Sequence, residues 1–277
     1  MAVTHDNQFS FRQSDHLSGV TVLNAVMCDF SYEKHAHEDI ALGVTRAGRQ
    51  DFICKGTRFK SLPGNILLFN PEDVHDGNPG NRSPLEYTML YIRPDELAPL
   101  IHAAGMPESG SLRVEEPLFE DRVLRTHILT LSRLITGPGS SRLEQELHLY
   151  EIAKRLSRRL GRIEPGQRVS HKDALLLKVK EFIHGNLARD LSIDDLCSVA
   201  NVSKFHFIRL FRSQFGITPH RYVLSCRVNR ARTALEGGDA PSAVAQMCGF
   251  FDVSHLNRRF KQTYGLTPRQ YQMQFSR

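Results

Sequence analysis

The sequence predicts two domains of different class: a mainly-β N-terminal domain finished by a helical hairpin, and an all-α C-terminal domain holding two helix-turn-helix motifs joined by a long helix. Three observations predict this. Short apolar runs broken by turn residues fill positions 20–92, residues 203–222 recur 49 positions later at 252–271, and the excess of basic charge is confined to one part of the chain. A length of 277 residues agrees with about two domains. With 40% hydrophobic and 24% charged residues the composition is that of a globular protein, which excludes general disorder, collagen and a coiled-coil rod.

The β part comes first. VTVLNAVMCDF at 20–30, IALGVT at 40–45, DFIC at 51–54, NILLF at 65–69 and LEYTMLYI at 85–92 are β-branched and apolar runs. Gly48, Gly56, Pro63-Gly64 and Asn78-Pro79-Gly80-Asn81 punctuate them. Short strands at this spacing indicate a β-sandwich or barrel. From about residue 94 the period turns helical. PDELAPLIHAAG is a short helix, and 117–136 and 142–160 are longer ones separated by GPGSS at 137–141. Leu124, Ile128, Leu131 and Ile135 mark one inner stripe, and Leu143, Leu147, Tyr150 and Leu156 mark the other. Two helices joined by so short a Gly/Pro turn form an antiparallel hairpin that covers the sheet, with a second face open to a dimer contact. GRIEPGQRVSHKD at 161–173 has the composition of a linker. The expected division is therefore 1–160, a linker at 161–172, and 173–277.

The repeat defines the last part. SKFHFIRLFRSQFGITPHRY aligns with DVSHLNRRFKQTYGLTPRQY so that His206 meets His255, Arg209 meets Arg258 and Phe211 meets Phe260. Gly216 likewise meets Gly265, Thr218-Pro219 meets Thr267-Pro268, and Tyr222 meets Tyr271. Ser203 and Asp252 suit N-caps, the two glycines suit left-handed helix ends, and each Pro suits the first turn of a further helix. A shorter helix precedes each copy, at 191–200 with Leu196 and Ala200 inward, and at 240–249 with Ala245 and Gly249 at the matching places. A helix, a three-residue turn and a helix make a helix-turn-helix. In the first copy Phe207, Leu210 and Phe211 face inward. In the second, Leu256, Phe260 and Tyr264 do so. The opposite faces hold Phe205, Ile208, Arg209 and Arg212, and Ser254, Asn257, Arg258 and Lys261. Such residues suit a major groove: Arg forks onto guanine, Asn pairs adenine, and an apolar side chain touches the thymine methyl. Between the copies, Pro219 to Leu235 carries no internal Gly or Pro. It spans roughly 25 Å as a helix, which could place the two reading helices about one DNA turn, roughly 34 Å, apart.

Charge supports a polyanionic partner. Residues 171–277 hold 16 Lys and Arg against 8 Asp and Glu, whereas residues 1–170 are slightly acidic at −2. Cysteines 28, 54, 197, 226 and 248 are odd in number and lack a CxxC pair, as expected of reduced thiols in the cytoplasm. No apolar run reaches the roughly 18 residues of a membrane span, and MAVTHDNQFSFRQSD has no apolar stretch for a secretory signal.

Ser192–Ala200, VSKFHFIRLFRSQFGITPHRYV, RVNRARTAL at 227–235 and CGFFDVSHLNRRFKQTYGLTPRQY at 248–271 together resemble the DNA-binding domain of the AraC/XylS family of bacterial transcription regulators. Leu256 stands where the family more often has Phe. The resemblance implies that Lys204, Phe205, Ile208 and Arg209, with Val253, Ser254, Asn257 and Arg258, approach the bases of double-stranded promoter DNA, and Ser203, Arg212 and Lys261 complete the expected DNA-binding set. KHAHEDIALGVTRAG followed by PGNILLFNPEDVHDG is similar to the same family's cupin-type sensor and dimerisation domain. His35, His37 and His75 resemble the metal-binding histidines of cupin enzymes, and on one strand His-x-His would turn both rings to one face. The carboxylate which that pattern places four or five residues later is replaced by Ala41 and Leu42. The expectation is therefore no metal or other cofactor and no catalysis, with the three histidines contributing to a small-molecule effector site.

The reading is a sequence-specific DNA-binding regulator controlled by a small-molecule effector, acting as an activator that contacts RNA polymerase, homodimeric, and without a membrane partner. Two alternatives remain beside it. A cupin metalloenzyme fused to a DNA-binding domain predicts stoichiometric metal and turnover, and an effector-independent DNA binder predicts output that ignores small molecules.

Overall fold

A computed structural model describes residues 6–104, 113–159 and 171–275. Contacts divide the chain into two units, one mainly β and the other mainly helical, and Tyr32–His37 and Asp73–His75 group with the helical one. Residues 161–170 of the expected linker lie outside the described residues. His171 and Lys172, also expected there, open a helix instead.

The β-rich part contains ten strands among the described residues: β1 Gln8–Gln13, β2 Val20–Met27, β3 Tyr32–His35, β4 Ile40–Ala47, β5 Gln50–Cys54, β6 Thr57–Ser61, β7 Ile66–Phe69, β8 His75–Pro79, β9 Leu85–Ile92 and β10 Leu118–Phe119. They form two sheets, ordered β1-β2-β9-β4-β7-β10 and β3-β8-β5-β6. In the larger sheet β9 is central. Val20 pairs with Ile92 on one side, and Ile40 pairs with the same residue on the other. The sheets pack together through a buried Thr45–Ser61 hydroxyl contact at 2.6 Å and an edge-on pair of Phe52 with Phe69 at 5.4 Å. Gly43 lies directly opposite Met89, whose thioether occupies the space a Cβ would need.

The other face of the larger sheet carries Val22, Leu42, Val44, Ile66, Leu68 and Leu90, onto which helices pack. These are α1 Pro94–Ala103, α2 Arg122–Thr136 and α3 Arg142–Ser157. The inner stripe expected for α2, Leu124, Ile128, Leu131 and Ile135, is buried. The expected helix over 117–136 starts later, because Leu118–Phe119 instead pairs with Leu67 and Ile66 as a strand. For α3 the structure corrects the sequence reading. Leu143 and Leu147 are 75% and 54% exposed, and the inward face is Gln145, Leu149, Ile152, Ala153 and Leu156. A polar residue sits in that face because Gln145 is fully engaged: it accepts from the Ser14 hydroxyl at 2.6 Å and donates to the Ser140 hydroxyl at 2.8 Å. Asp121 ties the hairpin together. Its carboxylate caps α2 through the Leu124 amide and accepts from Arg155 of α3 at 2.8 Å.

The helical part contains α4 His171–Gly185, α5 Ile193–Ala200, α6 Lys204–Phe215, α7 Pro219–Glu236, α8 Pro241–Met247, α9 Val253–Tyr264 and α10 Pro268–Gln272. Thr218 and Thr267 cap α7 and α10, each followed by Pro at the first helical position. Gly216 and Gly265, at φ +72° and +77°, end α6 and α9 in the left-handed region, as the repeat requires. The repeat is equally visible in the packing. Phe211 lies 4.5 Å from Phe215 and 5.4 Å from Tyr222, and 49 residues on Phe260 lies 4.7 Å from Tyr264 and 5.2 Å from Tyr271. Each helix-turn-helix therefore closes its own aromatic core. The 18-residue α7, about 27 Å long, contributes Tyr222 and Val223 to the first core at its start and buries Leu235 near its end.

Candidate nucleic-acid interface

Each helix-turn-helix is held by local bonds its sequence specifies. Ser192 and Asp195 form a reciprocal capping box at the start of α5, and Asn201 ends it with φ +49°. Three residues then lead into α6. Ser203, expected to cap α6, makes no side-chain cap bond, whereas Asp252 does cap α9, accepting from the His255 amide at 2.6 Å. The second connection is also longer than expected. It runs five residues, because α8 stops at Met247 and Gly249 turns the chain at φ +76°. A Cβ at Gly249 would collide with the Leu187 carbonyl, so the turn admits glycine alone. That same carbonyl accepts from Arg227 of α7 at 3.0 Å, and the Arg189 carbonyl accepts from Arg227 at 2.7 Å. One guanidinium thus fastens α7 to the connection between α4 and α5. Burial lowers its pKa from the ordinary value.

The buried faces of α6 and α9 are Phe207 with Phe211, and Leu256 with Phe260 and Tyr264. Of the sequence-predicted residues, Ser203, Lys204, Phe205, Arg209, Arg212, Ser254, Arg258 and Lys261 are exposed, and Ile208, Val253 and Asn257 are half-buried. Lys204 forms an ion pair with Asp194 at 3.2 Å, and the Arg209 guanidinium lies over the Phe205 ring at 5.9 Å from its centre. Each helix thus turns one apolar stripe inward and presents cations and hydrogen-bonding groups outward, one helical turn apart.

One exposed aromatic was missed. Phe251, 92% exposed, stands just before the α9 cap, while its neighbour Phe250 is buried edge-on against His255 at 5.5 Å. The signal was the Phe250-Phe251 doublet itself, since adjacent residues on a turn rarely both pack inward. His255 is held below the ordinary imidazole value by burial and then by Arg259 and Arg258.

The three histidines expected in an effector site do come together. Ring centres lie 4.5 Å apart for His35 and His75, 4.9 Å for His37 and His75, and 6.1 Å for His35 and His37. His37 falls beyond the end of β3, so strand alternation does not by itself place its ring beside that of His35. The Nδ1 atoms of His35 and His75 approach the carbonyls of Glu33 and Asp73 at 2.7 and 2.8 Å. Burial, followed by the neighbouring His35 and His37, holds His75 well below the ordinary imidazole value, so that it is neutral at physiological pH. Ala41 and Leu42 are fully buried. Among the described residues, no group of three or more His, Cys, Asp or Glu is arranged to hold a metal ion, and no helix is long and apolar enough to cross a membrane.

Residues 196–274 match the family model of a helix-turn-helix domain, and residues 21–153 match that of an AraC-like ligand binding domain. The HTH-type transcriptional regulator YbfI of Bacillus subtilis is 30% identical over 230 residues, covering 81% of each chain. The chain belongs to the AraC family of transcriptional regulators. Among solved structures, apo ToxT of Vibrio cholerae resembles it over 96% of this chain and all of that one, with a TM-score of 0.62 at 13% identity. ToxT bound to an unsaturated fatty acid gives 0.59 over 98% of each chain, also at 13% identity. At that identity the likeness is one of fold, and it extends across both the β-rich and the helical parts. This AraC-family chain is thus a transcriptional regulator with a helix-turn-helix DNA-binding domain and an AraC-like ligand-binding domain.

Proposed function

We propose that this AraC-family regulator reads two successive major grooves of promoter DNA with α6 and α9, and that a small molecule bound in its N-terminal domain controls the output. The observation that carries the reading is the pair of outward faces in register. Arg209 and Arg258 occupy equivalent places, as do Arg212 and Lys261, on helices whose opposite faces close equivalent aromatic cores. Ser203, Lys204, Phe205, Ile208, Arg209 and Arg212 serve the first groove. Val253, Ser254, Asn257, Arg258 and Lys261 serve the second. Arginine and asparagine supply base-edge recognition, while Lys204 and Lys261 neutralise phosphates. The length of α7 supports a spacing near one helical turn of DNA.

Residues 1–160 form the effector domain, 161–170 the linker and 171–277 the DNA-binding domain. His35, His37 and His75 take part in effector binding, their ring nitrogens able to donate to or accept from a polar ligand. The protein works in the cytoplasm as a homodimeric activator that contacts RNA polymerase, and it is a binding protein rather than an enzyme. A ligand acts by favouring one of two arrangements of the chain.

The test is selection of binding duplexes from a random library with the full-length protein, followed by hydroxyl-radical footprinting. The expected footprint protects two backbone segments on one face of the duplex for each protomer. Protection of a single short element, or failure to enrich any sequence, would overturn the reading.

A further inference from the structure

We infer that α6 recognises a thymine next to a guanine, with Phe205 sensing the thymine 5-methyl group and Arg209 forking onto the guanine; this rests on the proposed docking of α6 in a major groove. Phe205 is 79% exposed, whereas in the same helix Phe207 and Phe211 are fully buried and Phe215 is half-buried. The helix therefore has an aromatic core of its own, and Phe205 is not part of it. An aromatic ring left in water on a cationic face has apolar surface to bury against a partner, and the thymine methyl is the one apolar group on a major-groove edge.

Arg209 lies one turn further along the helix, with its guanidinium over the Phe205 ring at 5.9 Å. This cation–π contact restrains the side chain while leaving the N–H edge available for the O6 and N7 acceptors of guanine. Ring and guanidinium are thus offered as a unit, with a separation suited to adjacent base pairs.

The second helix differs at the position of the exposed ring. Ser254 occupies the position equivalent to Phe205, whereas Arg258 matches Arg209. The structure therefore assigns methyl sensing to the groove read by α6 and withholds it from the groove read by α9. This asymmetry gives the two half-sites different chemistry and sets the orientation of the protein on its operator.

The test replaces thymine by deoxyuridine, which removes the methyl and leaves the base pair intact. The probe is the best duplex enriched from the random library, with the full-length protein as ligand. A single thymine-to-uridine change in the α6 half-site should weaken binding about three- to five-fold, as loss of one buried methyl implies. Changes in the α9 half-site should leave affinity unchanged. Phe205→Ala should bind the thymine and uridine duplexes equally, and Phe205→Leu should restore part of the difference. Both variants should keep the wild-type thermal midpoint, since the ring is exposed.

Equal wild-type affinity for the two duplexes would overturn the inference while leaving groove reading intact. So would a thymine preference that survives in Phe205→Ala, or enriched duplexes with no thymine-guanine step. Failure to enrich any duplex would instead defeat the proposed function itself.

Discussion

Arg258→Ala separates a base contact from a phosphate contact. Arg258 is exposed on α9, on the face opposite buried Leu256 and Phe260, so truncation removes no core packing and stability should change by less than about 0.5 kcal/mol. A bidentate arginine–guanine contact is worth about 1–3 kcal/mol of discrimination, or roughly a 5- to 150-fold loss of affinity for the operator. Fluorescence anisotropy should be recorded on the selected duplex and on a scrambled one at the same salt. The expected result is a loss confined to the selected duplex and relaxed preference at one base position on reselection. Lys261→Ala, one turn along the same face, is the control. It should weaken both duplexes alike and reduce the salt slope by about one. Equal losses on both duplexes for Arg258→Ala would refute base reading by this residue. A lowered thermal midpoint would refute the claim that its face is independent of the core.

Five cations project from the two outer faces, Lys204, Arg209, Arg212, Arg258 and Lys261. If three to all five meet phosphates, affinity should fall about forty- to five-hundred-fold between 50 and 200 mM salt; a titration across that range checks it. In the N-terminal domain, burial pushes the Asp121 carboxyl up, but its bonds from Arg155 and Leu124 and the charges of Arg155 and Arg159 outweigh this and leave its pKa below the ordinary value. Its contribution to stability is therefore complete above the unfolded carboxylate value of about 3.9 and fades as pH falls through the lower folded value. Asp121→Asn should cost about 1–3 kcal/mol near neutral pH and flatten the acid limb of a denaturant-midpoint-against-pH curve. Tyr271, fully buried, donates to Glu236 at 2.6 Å, so Tyr271→Phe should cost about 1.5–3 kcal/mol in urea unfolding and leave that carboxylate short of a donor.

How much of this was legible in the sequence depends on where the determining interactions lie. The repeated helices were readable because their signals are local: Thr218-Pro219 and Thr267-Pro268 start them, Gly216 and Gly265 stop them, and Phe211 and Phe260 face inward. The strand β8, with sequence HDGNP, was not readable. Gly, Asn and Pro disfavour strands, and β8 is held by pairing in its sheet and not by its own propensity. The polar strands β3 and β6 were missed for the same reason. By contrast β1 carried a usable signal, the alternation of buried Phe9 and Phe11 with exposed Ser10 and Arg12. On α3 hydropathy misled, since Gln145 is buried by two hydroxyl partners distant or non-helical in sequence while Leu143 and Leu147 face outward.

The same distinction explains why the two proposed sites differ in how far a sequence can specify them. The faces of α6 and α9 follow from helical spacing alone: once Phe207 and Phe211 are committed to the core, Phe205 and Arg209 have only the opposite side left. The His35, His37 and His75 cluster follows from no such rule. Its rings meet because the chain returns at β8, some forty residues after β3, and spacing within either segment does not encode that return. Residues that read DNA can therefore change one at a time on a fixed helix, altering preference without altering fold. The histidines answer to two segments at once, and the pKa of His75 is lowered first by its burial and only then by His35 and His37. A substitution that opens His75 to solvent should raise its pKa toward the ordinary imidazole value, which an NMR titration of the ring would read.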